Sequence, residues 1–263
     1  MPEMTMMNAL REVIRGEMQK DPHLFMIGED VGPYGGEHGL SKGLWEEFGD
    51  YRIRDAAISE SAIVGCALGA AATGTRAIAE IPFGDFIGMC MDQVFNQAAK
   101  LRYMSGGQVS VPLVIRLTMG GYIGAAEQHS QCLESWFVHT PGIKVVVPST
   151  PADAAGLLRS SLRDNNPVIF FEHKGMYGLK GDVPDDPDYM VPLGKARVFR
   201  EGTDCTVVAN SKMLHMALEA AENLSAEGID IEVVDPRTID PLDMGTILAS
   251  VEKTNHLVVV HET

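Results

Sequence analysis

Val111-Pro112-Leu113-Val114-Ile115-Arg116-Leu117 is apolar at almost every position. A strand with one wet face alternates apolar and polar residues. A nearly unbroken apolar run is instead buried on both faces, as in a parallel sheet covered by helices on either side. Val145-Val146-Val147 carries the same signature. Outward from these runs, further strands are expected at residues 24–28, 52–55, 77–81, 144–147 and 168–172. Helices are expected at 5–20, 44–48, 62–72, 85–103, 126–137 and 152–164, and the Gly-rich stretch 35–39 reads as surface. Strands alternating with helices predict an α/β fold with a mostly parallel sheet flanked by helices.

The pattern breaks at Gly181-Asp182-Val183-Pro184-Asp185-Asp186-Pro187-Asp188, where Pro and Asp crowd together. This composition predicts an acidic linker over 181–192, after a first domain at 1–180. A second α/β pattern occupies 193–263, with strands at 205–209, 229–235 and 257–260 and helices at 212–226 and 246–253. Three parallel strands make a thin sheet, so this domain is expected to be partial, with an early stop at Thr263.

The 263 residues are 45% hydrophobic and 22% charged, a composition that supports a sizeable core. A formal charge of −15 without any basic stripe argues against nucleic acid or an anionic membrane as partner. No apolar run approaches the ~18 residues of a membrane span. The start, Met1-Pro2-Glu3-Met4-Thr5, lacks a secretory signal pattern. Cys66, Cys90, Cys132 and Cys205 form no paired motif. Cys66 and Cys90 are expected to be buried thiols in a reducing compartment, here the cytoplasm.

Chemistry-bearing residues cluster near the ends of the expected elements. Glu60 precedes the small-residue helix Ala62-Ile63-Val64-Gly65-Cys66-Ala67-Leu68-Gly69-Ala70-Ala71-Ala72. A carboxylate there either complements the helix dipole beside a Ser59 or Ser61 cap, or presents its charge to a ligand. Phe83 and Phe86 either join the core or stack on a planar ligand. His129, beyond the loop Gly120-Gly121-Tyr122-Ile123-Gly124, is either structural or a proton carrier. His173 reads as a surface or interface residue at a strand end. There is no metal-ligand pair at helical spacing, no Gly-x-Ser-x-Gly elbow, no Walker loop and no dinucleotide fingerprint.

Taken together, several segments resemble one family along nearly the whole chain. They are Gly28-Glu29-Asp30-Val31, Ile58-Ser59-Glu60, Asp92-Gln93-Val94-Phe95-Asn96-Gln97-Ala98-Ala99-Lys100, Arg102-Tyr103-Met104-Ser105-Gly106-Gly107 and Gln128-His129-Ser130-Gln131. Pro141-Gly142-Ile143-Lys144-Val145-Val146, Arg163-Asp164-Asn165-Asn166-Pro167-Val168, Glu172-His173-Lys174 and Asp235-Pro236-Arg237-Thr238-Ile239-Asp240-Pro241-Leu242 continue it. The family is the beta subunit of the thiamin-diphosphate-dependent decarboxylase component of 2-oxo acid dehydrogenase complexes, of the pyruvate, branched-chain or acetoin type. Asp85-Phe86-Ile87-Gly88-Met89-Cys90 is nearer the acetoin and bacterial pyruvate types.

The resemblance implies an oxidoreductase subunit that is active only with an alpha subunit, in a heterotetramer, passing an acyl group to a lipoyl-bearing acyltransferase. It implies the thiamin-diphosphate pyrimidine-binding fold, followed by a transketolase C-terminal-like domain. Glu60 would share a proton with the aminopyrimidine ring, with Ile58 and Phe86 lining the same pocket and His129 facing the substrate. It also implies a potassium ion near Leu113, Ser161, Leu162, Asp164 and Asn166. The Gly-Asp-Gly motif that holds magnesium and the diphosphate is missing here, so the alpha subunit would supply it. Family members continue beyond the position of Thr263. Two other readings remain: the pyrimidine-binding half of another transketolase-like enzyme, or a non-catalytic interaction subunit paired with an alpha chain.

Overall fold

Thr5 caps the first long helix, its hydroxyl accepting from the Asn8 amide at 3.2 Å. The computed structural model describes residues 2–121 and 123–262, so Tyr122 of the Gly-rich loop and the stop at Thr263 lie outside the described residues. In chain order the first half runs β1 (Glu3–Thr5), α1 (Met6–Lys20), β2 (Phe25–Glu29), α2 (Leu44–Phe48), β3 (Ile53–Ala56), α3 (Glu60–Ala72) and β4 (Ala77–Ile81). There follow α4 (Ala99–Met104), β5 (Leu113–Met119), α5 (Glu134–Val138), β6 (Lys144–Val146), α6 (Pro151–Arg163), β7 (Val168–His173) and β8 (Lys180–Asp182). The remainder is β9 (Arg197–Arg200), β10 (Cys205–Ala209), α7 (Ser211–Ser225), β11 (Ile231–Asp235), β12 (Thr238–Asp240), α8 (Met244–Thr254) and β13 (Leu257–Val260).

The large sheet has the order β12-β6-β7-β5-β4-β2-β3 and is parallel except for β12. Successive side chains point to opposite faces, so neighbours such as Met26 and Ile27 enter different cores. One core packs α1 and α6 against the sheet, and the other packs α3, α4 and α5. Both faces are therefore covered, as the apolar runs predicted. The sheet β13-β10-β11-β9 carries α7 on one face and α8 on the other.

Within the large sheet, one guanidinium ties three adjacent strands together. Arg116 on β5 pairs with Glu80 on β4 and with both oxygens of Glu172 on β7, at 2.7 and 2.6 Å for Glu172. All three side chains are buried. Tyr177 donates its hydroxyl to Glu172 at 2.8 Å, which completes the cluster.

Several expectations need correction. Residues 85–103 are not one α-helix but a 3-10 segment (Gly84–Cys90), a π-helix (Asp92–Ala98) and α4. Gly84 presses against β5, where a Cβ would lie 2.6 Å from the Thr118 carbonyl, and this contact overrides regular helix geometry. Residues 126–137 form only a 3-10 turn (Glu127–His129) and α5, because Ala126 holds φ 62 and ψ −170, outside any helix. Cys66 is exposed whereas Cys90 is buried. Residues 35–36 are buried rather than at the surface, and Gly181 and Asp182 belong to edge strand β8. Beside the three parallel strands of the second sheet, β9 adds an antiparallel one. Beyond β11 the chain crosses back, so β12 pairs with β6 of the large sheet.

Asp235 ends β11 at this crossing and is fully enclosed, with one carboxylate oxygen unpartnered among the described residues. Burial pushes its carboxyl up to about 7, although the Ser149 hydroxyl and the Arg237 amide pull it down. Since an unfolded aspartate ionises near 4, the folded chain retains a proton that the unfolded chain has lost between roughly pH 4 and 7. Stability should fall as pH rises through that window and level off above it. Asp235→Asn removes this slope, so its melting temperature should gain on the parent's between about pH 5 and 7. A difference that stays constant with pH would reject the assignment.

Candidate active site

Parallel strands place all their carboxyl ends on one edge of a sheet, and ligands favour the crevice where the strand order reverses. Here the connection from β3 through α3 to β4 passes over β2, which creates such a point. Glu60 is the first residue of α3 and is 9% exposed. Neither Ser59 nor Ser61 caps this helix with its side chain. The Ser59 carbonyl accepts from Ala62 and Ile63, and the Ser61 hydroxyl donates to the Met89 carbonyl at 2.5 Å. The cap reading of these serines is thus corrected. Among the described residues the Glu60 carboxylate meets no hydrogen-bond donor, although it lies at the positive end of a helix.

Other acids surround it. Burial raises the Glu29 carboxyl above the usual range, and the charges of Asp30, Glu60 and Glu37 add to that rise. On the neighbouring 3-10 segment the Cys90 thiol is pushed up to about 12, first by burial and then by Glu60.

The same edge gathers four rings. Phe83 and Phe86 follow β4, and their centroids lie 6.2 Å apart, edge to face. The loop after β5 brings His129 to 4.5 Å from Phe83 and 5.2 Å from Phe86. His38 stands 5.3 Å from Phe83 and 3.3 Å from the Pro82 carbonyl, and burial lowers its proton affinity. Edge contacts of this kind set ring orientation without hydrogen bonds. His38 was missed because its burial depends on the loop at 35–39 folding inward. Ile58, by contrast, is 75% exposed and packs into no core.

His173 is 1% exposed, which corrects the surface reading. It contacts Glu262 at 2.9 Å and lies under Gly120, where a Cβ would fall 2.2 Å from its Nε2.

The residues named for potassium converge near the opposite end of the strands. Asp164 Oδ1 accepts from the Asn166 amide and side chain, both at 2.8 Å, and Oδ2 pairs with Lys144. Arg76 donates to the Leu162 and Asp164 carbonyls at 3.0 and 2.7 Å. The Ser161 hydroxyl donates to Leu157, and Leu113 begins β5. With its carboxylate engaged, this turn has mainly backbone carbonyls to offer a cation. Each carbonyl keeps a second lone pair that a hard ion could use, but the Arg76 and Lys144 cations already engage this turn.

Comparison with known proteins accords with this geometry. The transketolase pyrimidine-binding domain matches residues 2–180, and the transketolase C-terminal domain matches 194–263. The acetoin:2,6-dichlorophenolindophenol oxidoreductase subunit beta of Cupriavidus necator is 52% identical over 97% of this chain and 78% of its own length. The 2-oxoisovalerate dehydrogenase subunit beta of Bacillus subtilis is 46% identical, covering 100% of this chain and 80% of that protein. The human mitochondrial pyruvate dehydrogenase E1 component subunit beta is also 46% identical, over 98% and 73%. A solved structure described as a split gene transketolase, inactive beta4 tetramer, shares the fold, with a TM-score of 0.80 at 24% identity, over 98% of this chain and 80% of that one.

Gly84 lies between the two phenylalanines, so its contact with Thr118 sets where their rings stand. Gly84→Ala should cost about 1–3 kcal/mol through overpacking. Denaturant unfolding would measure this, and unchanged stability would show that the close approach is relaxed in solution.

Proposed function

The chain belongs to the transketolase-like, thiamin-diphosphate-dependent family of dehydrogenase beta subunits, and from that premise we propose that it is the beta subunit of a 2-oxo acid or acetoin dehydrogenase decarboxylase component. In this reading it works in the cytoplasm as half of a heterotetramer with an alpha subunit and passes an acyl group to the lipoyl arm of an acyltransferase. Residues 1–180 form the pyrimidine-binding domain, 181–192 the acidic linker, and 193–263 a partial C-terminal domain. An identity of 52% to an acetoin-type subunit, against 46% to the other two types, supports acetoin as the first substrate to test.

One observation carries the reading: Glu60, the first residue of α3, is only 9% exposed, and its carboxylate meets no hydrogen-bond donor among the described residues. An enclosed carboxyl group without a partner suits a ligand that brings its own donor. When bound, thiamin diphosphate supplies an electron sink for cleavage next to a carbonyl. The chain's own residues set the conditions for that chemistry. Glu60, at the start of α3, would share a proton with the aminopyrimidine ring nitrogen of the bound cofactor. Phe86 offers an apolar face to the ring, and Ile58 stands exposed where a second chain can close over it. His129 moves a proton at the substrate side and is kept in place by the two phenylalanines. The alpha subunit would hold magnesium and the diphosphate, and Asp164 and Asn166, with the carbonyls of Leu113, Ser161 and Leu162, would hold potassium.

Glu60→Gln keeps the shape of the site and removes the proton-holding group. Reconstituted with an alpha subunit carrying Gly-Asp-Gly, the variant should lose roughly 100-fold in kcat, as is typical for acid–base groups. Assays with acetoin, pyruvate and branched 2-oxo acids, run side by side, would identify the substrate class. Near-parental activity in Glu60→Gln would overturn its role. Parental complexes inactive on all three substrates would overturn the functional reading.

A further inference from the structure

Two opposite charges stand beside the rings with unsatisfied atoms. The Lys174 ammonium, on a residue 6% exposed, has no hydrogen-bond partner among the described residues and sits 5.7 Å from the Phe83 ring centroid. Asp85 Oδ2 is likewise enclosed and without a hydrogen-bond partner among the described residues. Burial lowers the proton affinity of Lys174, and Asp85 is the foremost charge opposing that effect. A lone buried charge is costly, and an opposite charge nearby offsets part of the cost.

The other oxygen, Asp85 Oδ1, faces the histidine loop. It accepts from the Gln131 side-chain amide at 2.8 Å and from the Gln131 backbone N–H at 3.3 Å. Gln131 lies two residues beyond His129, in a segment with little regular structure. Its neighbouring bonds are local, from the His129 amide and the Ser130 hydroxyl to the Ala126 carbonyl. The His129 imidazole makes no hydrogen bond among the described residues. Ring contacts orient it, and those contacts require the loop to stay against the segment that carries Phe83 and Phe86.

We propose that Asp85, with Lys174 as its countercharge, is a positioning residue that holds His129 in the site through Gln131. Carboxyl oxygens accept hydrogen bonds, and this one meets two N–H donors from a single residue. The backbone of Ala126, at φ 62, is one that alanine seldom adopts, so the loop needs an external tie. The proposal rests on the reading that His129 acts at the substrate, while Asp85 and Lys174 touch no reacting atom.

Gln131→Ala is the cleanest test, because it removes the tie and leaves both charges in place. In the complex with an alpha subunit, kcat should fall about tenfold, since a displaced catalytic ring costs rate. KM and cofactor affinity should stay within about twofold, because uniform binding is untouched. Asp85→Asn, which retains an acceptor for Gln131, should keep more activity than Asp85→Ala. On the chain alone, modification of His129 by diethyl pyrocarbonate, followed by peptide mass spectrometry, should be faster in Gln131→Ala than in the parent. Unchanged His129 reactivity together with unchanged kcat, in a variant with the parental melting temperature, overturns the proposal even where His129→Ala abolishes turnover. Faster modification in Gln131→Ala, with His129→Ala fully active, supports the positioning contact and removes His129 from catalysis instead.

Discussion

A single buried guanidinium, Arg116, fixes how the central strands lie against one another. It reaches Glu80 on one side and Glu172 on the other, with no bulk water to screen the charges. Burying such a cluster is expensive, and it persists only where nearly every polar atom finds a partner. Two carboxylates pull the Arg116 proton affinity up against the effect of burial, so the cation is permanent. A slip of one residue in β5 would carry Arg116 to the opposite, apolar face. Register is therefore specified strongly at the very strands whose ends build the site.

The rings and the histidine loop of the site hang from those ends, while Glu60 enters beside them from the start of α3. β4 leads into Phe83, Asp85 and Phe86, β5 into the loop with Gln131 and His129, and β7 into Lys174. The Thr118 hydroxyl donates to the Pro82 carbonyl at 2.6 Å, which links the β5 end to the β4 end. The site is thus positioned by regular sheet geometry, while its contacts come from irregular segments. That division suits a site which must be accurate and yet must admit a ligand.

The large sheet was legible because β4, β5 and β7 are mostly apolar along their length, and α1 because its apolar period is clear. Other parts were hidden for physical reasons. β9 and β12 are short edge strands of mixed character, Arg197-Val198-Phe199-Arg200 and Thr238-Ile239-Asp240, and carry no period to read. α3 is small and apolar on nearly all sides, so no amphipathic stripe showed that Cys66 faces outward. Glu60, Phe86 and His129 stood out only through their resemblance to a family, since each residue type alone has an ordinary structural use. The Asp85–Gln131 tie could not be read at all, because it joins loops from two different strands. His173 was misjudged because its burial depends on a glycine fifty-odd residues earlier in the chain, Gly120, leaving room for its ring.

The return of β12 to the large sheet bears on how the chain is made. Until synthesis has passed Asp240, β6 is an uncovered strand edge rich in valine. Such edges invite pairing with other chains. A ribosome-bound intermediate that ends within the second sheet therefore carries a sticky border that the finished protein lacks. Slow passage through that stretch, or a break in it, is expected to expose the nascent chain to aggregation rather than merely to shorten it.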